Sequence, residues 1–91
     1  MKAEHVILGI HVTDRLQNAV PVQALLTEYG VYIKTRLGLH EPGPDGLCGT
    51  GNGLLLLEMV GGQAKARELM GRLQTIPGIE VQVMVFEHPA G

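Results

Sequence analysis

The stretch His5–Gly38, HVILGIHVTDRLQNAVPVQALLTEYGVYIKTRLG, lies without a gap on Gly53–Phe86, GLLLLEMVGGQAKARELMGRLQTIPGIEVQVMVF. Val6 falls on Leu54, Val12 on Val60, Leu25 on Leu73, Gly30 on Gly78 and Ile33 on Val81. Few residues are identical, so what recurs is a pattern of apolar positions and turns. Each copy reads strand, turn, helix, glycine turn, strand. Two such units fill a chain of 91 residues, which makes residues 1–91 a single domain with one modest core.

The strands are of two kinds. His5–Val12 is almost continuously apolar, as a central strand covered on both faces must be, and Leu54–Met59 is its counterpart. Val31–Leu39 and Ile79–Phe86 alternate instead. Val31, Ile33, Thr35 and Leu37 oppose Tyr32, Lys34, Arg36 and His40, while Ile79, Val81, Val83 and Val85 oppose Glu80, Gln82, Met84 and Phe86. Charged residues on alternate positions mark edge strands. The pattern predicts an α+β, ferredoxin-like βαββαβ fold, with a four-stranded antiparallel sheet in the order 4-1-3-2 and both helices on one face.

An interior proline costs a helix about 3 kcal/mol, so Pro21 is best placed in a first turn that starts from Asn18 as N-cap and ends at Tyr29-Gly30. The second helix spans Gln63–Thr75 and packs through Ala66, Leu69, Met70 and Leu73. The helix-free face then carries Ile7, Leu55, Leu57, Met59, Met84 and Phe86, with Glu58 placed opposite Ile10 on the helix side. An apolar face of that extent is an interface, which points to a homo-oligomer, a dimer or tetramer.

A net charge of −2 argues against direct nucleic-acid binding, which needs a basic surface to displace counterions. With only Tyr29, Tyr32 and Phe86 as aromatics, the core must be aliphatic. The single Cys48 forms no internal disulfide, and the VILGI run is too short for a signal segment or a membrane span. The expectation is a cytoplasmic protein with no membrane partner.

No Ser-His-Asp arrangement, carboxylate pair or Cys-x-x-Cys is present, so the chain reads as non-enzymatic. The insert PGPDGLCGTGNG between the copies lacks the Lys-Ser/Thr of a phosphate loop and runs into a strand, which makes it a flexible hairpin loop carrying a thiol. The ends of the first and second strands share an edge, because these strands run parallel. His11 and His40 would lie there on the helix-free face, roughly 10 Å apart across the third strand. With Cys48 they form a candidate triad for a divalent transition metal; the plainer alternative is an interfacial His, an exposed His and an ordinary thiol. Lys34 and Arg36, side by side, would hold a carboxylate or phosphate, or simply solubilise an edge.

The string DRLQNAVPVQALLTEYGVYIKTRLGLHE, followed by a Cys-containing loop and GLLLLEMVG, resembles the small ACT-like proteins regarded as regulators of the iron-only hydrogenase system. KTRLGLHE is its most specific part, and the resemblance spans nearly the whole chain. That family is similar in fold to ACT domains and to the C-terminal domain of the nickel-responsive repressor NikR. The resemblance implies a cytoplasmic regulatory role, sensing a small ligand or a partner protein at an oligomer interface. Against the NikR nickel set, Gly38 and His40 stand where a His-x-His pair belongs, and the first helix holds no His. Against ACT domains, the turn Val12-Thr13-Asp14-Arg15 stands at the ligand position, but Leu16-Gln17 replaces the usual Pro-Gly.

The ligand-binding candidates are therefore His11, Asp14, Arg36 and His40, and the metal candidates His11, His40 and Cys48. Two alternatives to a ligand-sensing regulator stand beside it: a nickel or zinc sensor built on His40 and Cys48, and a purely structural assembly domain. The copies differ most at Gly9, His11, Asp14 and Arg36, matched by Leu57, Met59, Gly62 and Met84. These differences gather polar groups at one edge.

Overall fold

A computed structural model describes residues 2–13, 15–42 and 48–89, with side chains described for 4–13, 20–39 and 53–87. The chain runs β1 (Lys2–Val12), α1 (Arg15–Glu28), a short 3-10 turn (Gly30–Tyr32), β2 (Ile33–Pro42), β3 (Cys48–Met59), α2 (Gly62–Leu73) and β4 (Ile79–Pro89). The four strands form one antiparallel-paired sheet in the order β2-β3-β1-β4, with β1 and β3 central. This is the expected ferredoxin-like βαββαβ arrangement.

The core lies between the sheet and the two helices. β1 sends Val6, Leu8, Ile10 and Val12 into it, β3 sends Leu57 and Met59, and β4 sends Val81. α1 answers with Val22 and Leu26 and, just beyond its end, Tyr29. α2 answers with Ala66, Leu69 and Leu73, the 3/4 spacing that puts one stripe against the sheet. Each fully buried leucine contributes about 1.5–3 kcal/mol relative to exposure, so this aliphatic seam carries the fold.

Four details differ from the sequence expectation. The first helix begins at Arg15 rather than Asn18 and runs through Pro21. Pro21 is exposed on the outer side, so its missing N–H removes one bond while Val22 and Leu26 still reach the core.

Second, the phase of β3 is opposite to that read from the repeat. Leu8 pairs with Leu57 and Val6 with Met59, so Leu57 and Met59 belong to the helix side, with Leu55 packed against the same core. Leu54, Leu56 and Glu58 face the open side, and Glu58 lies opposite Ile7, not Ile10. A run of four leucines carries no phase of its own, which is why pattern alone misplaced it.

Third, a register shift between Ile33 and Thr35 turns the parity of β2. Thr35, Leu37 and Leu39 pair with Glu58, Leu56 and Leu54 and join the open face. Fourth, the Gly-rich segment from Cys48 onward is not a loop but the first half of β3, with Cys48 opposite Pro42.

Candidate functional site on the open face of the sheet

Across the helix-free face the strands align in rows. Leu39, Leu54, His11 and Glu80 form one; Leu37, Leu56, Gly9 and Gln82 the next; Thr35, Glu58, Ile7 and Met84 a third; His5 and Phe86 close the last. Leu37, Leu39, Met84 and Phe86 are exposed large apolar residues.

Gly9 sits in the middle of a central strand where its neighbours all carry bulky side chains. The gap it leaves is a depression of about 260 Å³ lined by Gly9, His11, Leu54, Leu56, Glu80, Gln82 and Met84. That is somewhat less than the roughly 300–1,000 Å³ of drug-sized ligand pockets, and it is open on one side, so it makes one wall of a site. Its floor is apolar, and an imidazole, a carboxylate and a carboxamide stand among its lining residues. Such a set orients a small ligand by hydrogen bonds over an apolar base.

At the opposite corner of the same face, His5 Nδ1 and Glu58 Oε2 lie 2.8 Å apart, with the ring nitrogen donating because a carboxylate only accepts. Lys34 Nζ stands 4.0 Å from the same oxygen. The hydrogen bond from His5 holds the Glu58 carboxyl below its ordinary value, aided by the charges of Lys34 and His5 and opposed by desolvation.

The helix side holds a second polar network. Tyr29 donates to Glu68 Oε2 at 2.7 Å, Arg72 lies against Glu28 and 3.4 Å from the Tyr29 hydroxyl, and Lys65 stands 3.7 Å from Glu68. Lys65 and Arg72 also lie over the Tyr32 and Tyr29 rings, at 5.1 and 5.6 Å from the centroids. The hydrogen bond from Tyr29 holds Glu68 below its ordinary value, and the bond to Glu28 raises Arg72. This network clasps the two helices together.

The sequence-derived candidates scatter. His11 lines the depression. Arg36 pairs with Leu57, a helix-side residue, so it lies on the opposite face; Lys34 reaches Glu58 on the open face, and the two cations do not stand together. His40 is at register with Gly53, itself opposite Val12, whereas His11 is opposite Leu54, so the two histidines occupy positions of opposite parity. The side chains of Asp14, His40 and Cys48 lie outside the described residues. Among the described residues no cluster of three His, Cys, Asp or Glu side chains suits a metal, and no helix is long and apolar enough to cross a membrane. Glu80, Gln82, Leu54 and Leu56 were not singled out from sequence; Gly9 within an apolar strand was their available signal.

No protein-family model matches the chain, and no curated protein matches it. Solved structures do. An uncharacterised protein of Thermotoga maritima is 24% identical, covering 94% of this chain and 99% of its own, with a TM-score of 0.74. A nitrogen regulatory PII-like protein of Thiomonas intermedia, bound to ADP, AMP and bicarbonate, is 12% identical over 100% of this chain and 99% of its own, at a TM-score of 0.64. The ACT domain of a GTP pyrophosphokinase from Chlorobium tepidum is 16% identical over 91% and 86%, at 0.56. The fold is that of ACT-domain and PII-like proteins. At these identities the likeness is one of architecture.

Proposed function

We propose that this chain is a non-enzymatic, cytoplasmic regulatory domain that senses a small ligand in the depression over Gly9, at an interface between copies. The observation that carries the reading is the gap itself: a polar-rimmed hollow of about 260 Å³ beside the exposed apolar residues Leu37, Leu39, Met84 and Phe86 of the open sheet face. The PII-like protein of Thiomonas intermedia, bound to ADP, AMP and bicarbonate, supports ligand sensing on this fold. The resemblance carried by KTRLGLHE supports the iron-only hydrogenase system as the regulated one. His11 then contacts the ligand, Gly9 leaves it room, and Gln82 and Glu80 set its orientation.

Thermal-shift and calorimetric titration with ADP, AMP, bicarbonate and free amino acids tests this. A ligand at 100 times its dissociation constant raises stability by about 2.7 kcal/mol. A Cβ at Gly9 would meet Leu56 Cδ2 at 3.7 Å and the Gln82 carbonyl oxygen at 4.0 Å, ordinary contacts, so the side chain of Gly9→Val enters the hollow without a clash at its first carbon. Stabilisation abolished by Gly9→Val supports the reading. Stabilisation unmoved by it removes the site, and no stabilisation by any compound favours a purely structural assembly domain.

One observation favours a second reading, a nickel or zinc sensor. The β2–β3 ladder continues to Pro42 opposite Cys48, which places Cys48 on the strand paired with the one that carries His40. Titration with Ni²⁺, Zn²⁺ and Co²⁺ decides it: submicromolar binding lost in His40→Ala and Cys48→Ser is required, and affinity unchanged by both ends the metal reading.

A further inference from the structure

The open face is quartered. One quadrant is leucine, from Leu37, Leu39, Leu54 and Leu56; the diagonal quadrant is also apolar, from Ile7, Met84 and Phe86. The other two are polar. Glu80 and His11 mark one, beside the hollow; Glu58, Lys34 and Thr35 mark the other, with His5 at its border. Four strands about 4.8 Å apart and four rows about 7 Å apart span on the order of 500 Å² in projection. That approaches the scale of a standard interface, which buries about 800 Å² of accessible surface per partner.

We infer that a second copy of this chain covers the face, turned about a two-fold axis that runs along the apolar diagonal from the leucine quadrant to Phe86. The inference rests on the reading that copies associate, and adds how they do so and what each gives the other's site.

A closed two-fold interface sets every patch against its rotated image. An axis along the strands, or across them, would press leucines onto Glu80 or Glu58 and bury charge against hydrocarbon. Only the two diagonals keep apolar on apolar. Charge then chooses between them. The polar diagonal as axis lays Glu80 near Glu80 and Lys34 near Lys34. The apolar diagonal lays Lys34 of the second copy toward Glu80, and Glu58 of the second copy over the hollow at Gly9. Opposite charges meet, twice per dimer, and juxtaposed like charges are avoided. The half-open hollow gains its missing wall from the other chain.

Sedimentation equilibrium at low salt tests the arrangement, with circular dichroism to confirm folding. The wild-type chain is expected to be a dimer. Lys34→Glu and Glu80→Lys should each raise its dissociation constant about tenfold, and the double variant should return it to within about threefold of wild type. A wild-type monomer or odd-numbered oligomer, silent single variants, or a double variant no tighter than the singles each overturns the proposal. Ligand titration of the wild-type dimer separates the two readings: a dimer that binds nothing removes the ligand while leaving the dimer standing.

Discussion

The Tyr29 hydroxyl donates a 2.7 Å hydrogen bond to Glu68 Oε2, joining the end of α1 to the middle of α2 while its ring stays buried in the core. The bond is charge-assisted, and the Arg72 guanidinium lies over the same ring. Tyr29→Phe keeps the packing and deletes the donor. It should cost about 1 kcal/mol in urea unfolding and move the Glu68 titration, followed by NMR, back toward its ordinary value.

Acid should weaken the fold through the same carboxylate. Glu68 and Glu58 are both held below the ordinary value of 4.5, so between the folded and unfolded pKa values the unfolded chain binds more protons. Their stabilisation is present above about pH 4.5 and is lost as the pH falls through the folded values. Urea midpoints measured from about pH 6 down to about pH 2 should decline along this limb, and less steeply in Glu68→Gln.

The turn into α2 tests backbone geometry. Gly61 and Gly62 both adopt positive φ, +92° and +85°, but a Cβ at Gly61 would stand 2.8 Å from Tyr32 Cδ1 while one at Gly62 meets nothing within 4 Å. Gly62→Ala should cost about 1–2 kcal/mol, the left-handed penalty alone. Gly61→Ala should cost more, because Tyr32 must also move from beside Lys65. Melting temperatures of the two variants in parallel check the order.

Core and open face should separate cleanly. Leu69 is fully buried, and Leu69→Ala should destabilise by about 2–5 kcal/mol. Leu37 is 50% exposed in the isolated chain. Leu37→Ala should leave monomer unfolding within about 0.5 kcal/mol of wild type and weaken self-association instead, read from denaturation at several protein concentrations.

The strand order and both helices were legible because edge strands alternate and helices show the 3/4 spacing. Val22 and Leu69, or Val12 and Met59, are matched core positions, yet they stand one residue closer in sequence than the gapless overlay puts them. In LLLL, either phase buries leucine, so nothing local exposed that slip; Glu58 was the one residue out of place, and its partner His5 explains why. The site was legible at His11 and Gly9 only. Arg36 was misassigned to the polar edge because a bulge leaves no trace in hydrophobic periodicity.

That bulge at Lys34 has a genetic consequence. Were Lys34 paired in step with Glu58 instead of standing out of the ladder, β2 would continue in the phase of Ile33, bringing Arg36 to the open face and turning Leu37 and Leu39 under the helices. Deleting the Lys34 codon would instead straighten the strand while leaving Leu37 and Leu39 on the open face and Arg36 on the helix side. A relative one residue shorter at this point would therefore be expected to keep the same company, whereas one of the same length without the bulge would change it before it changed its fold.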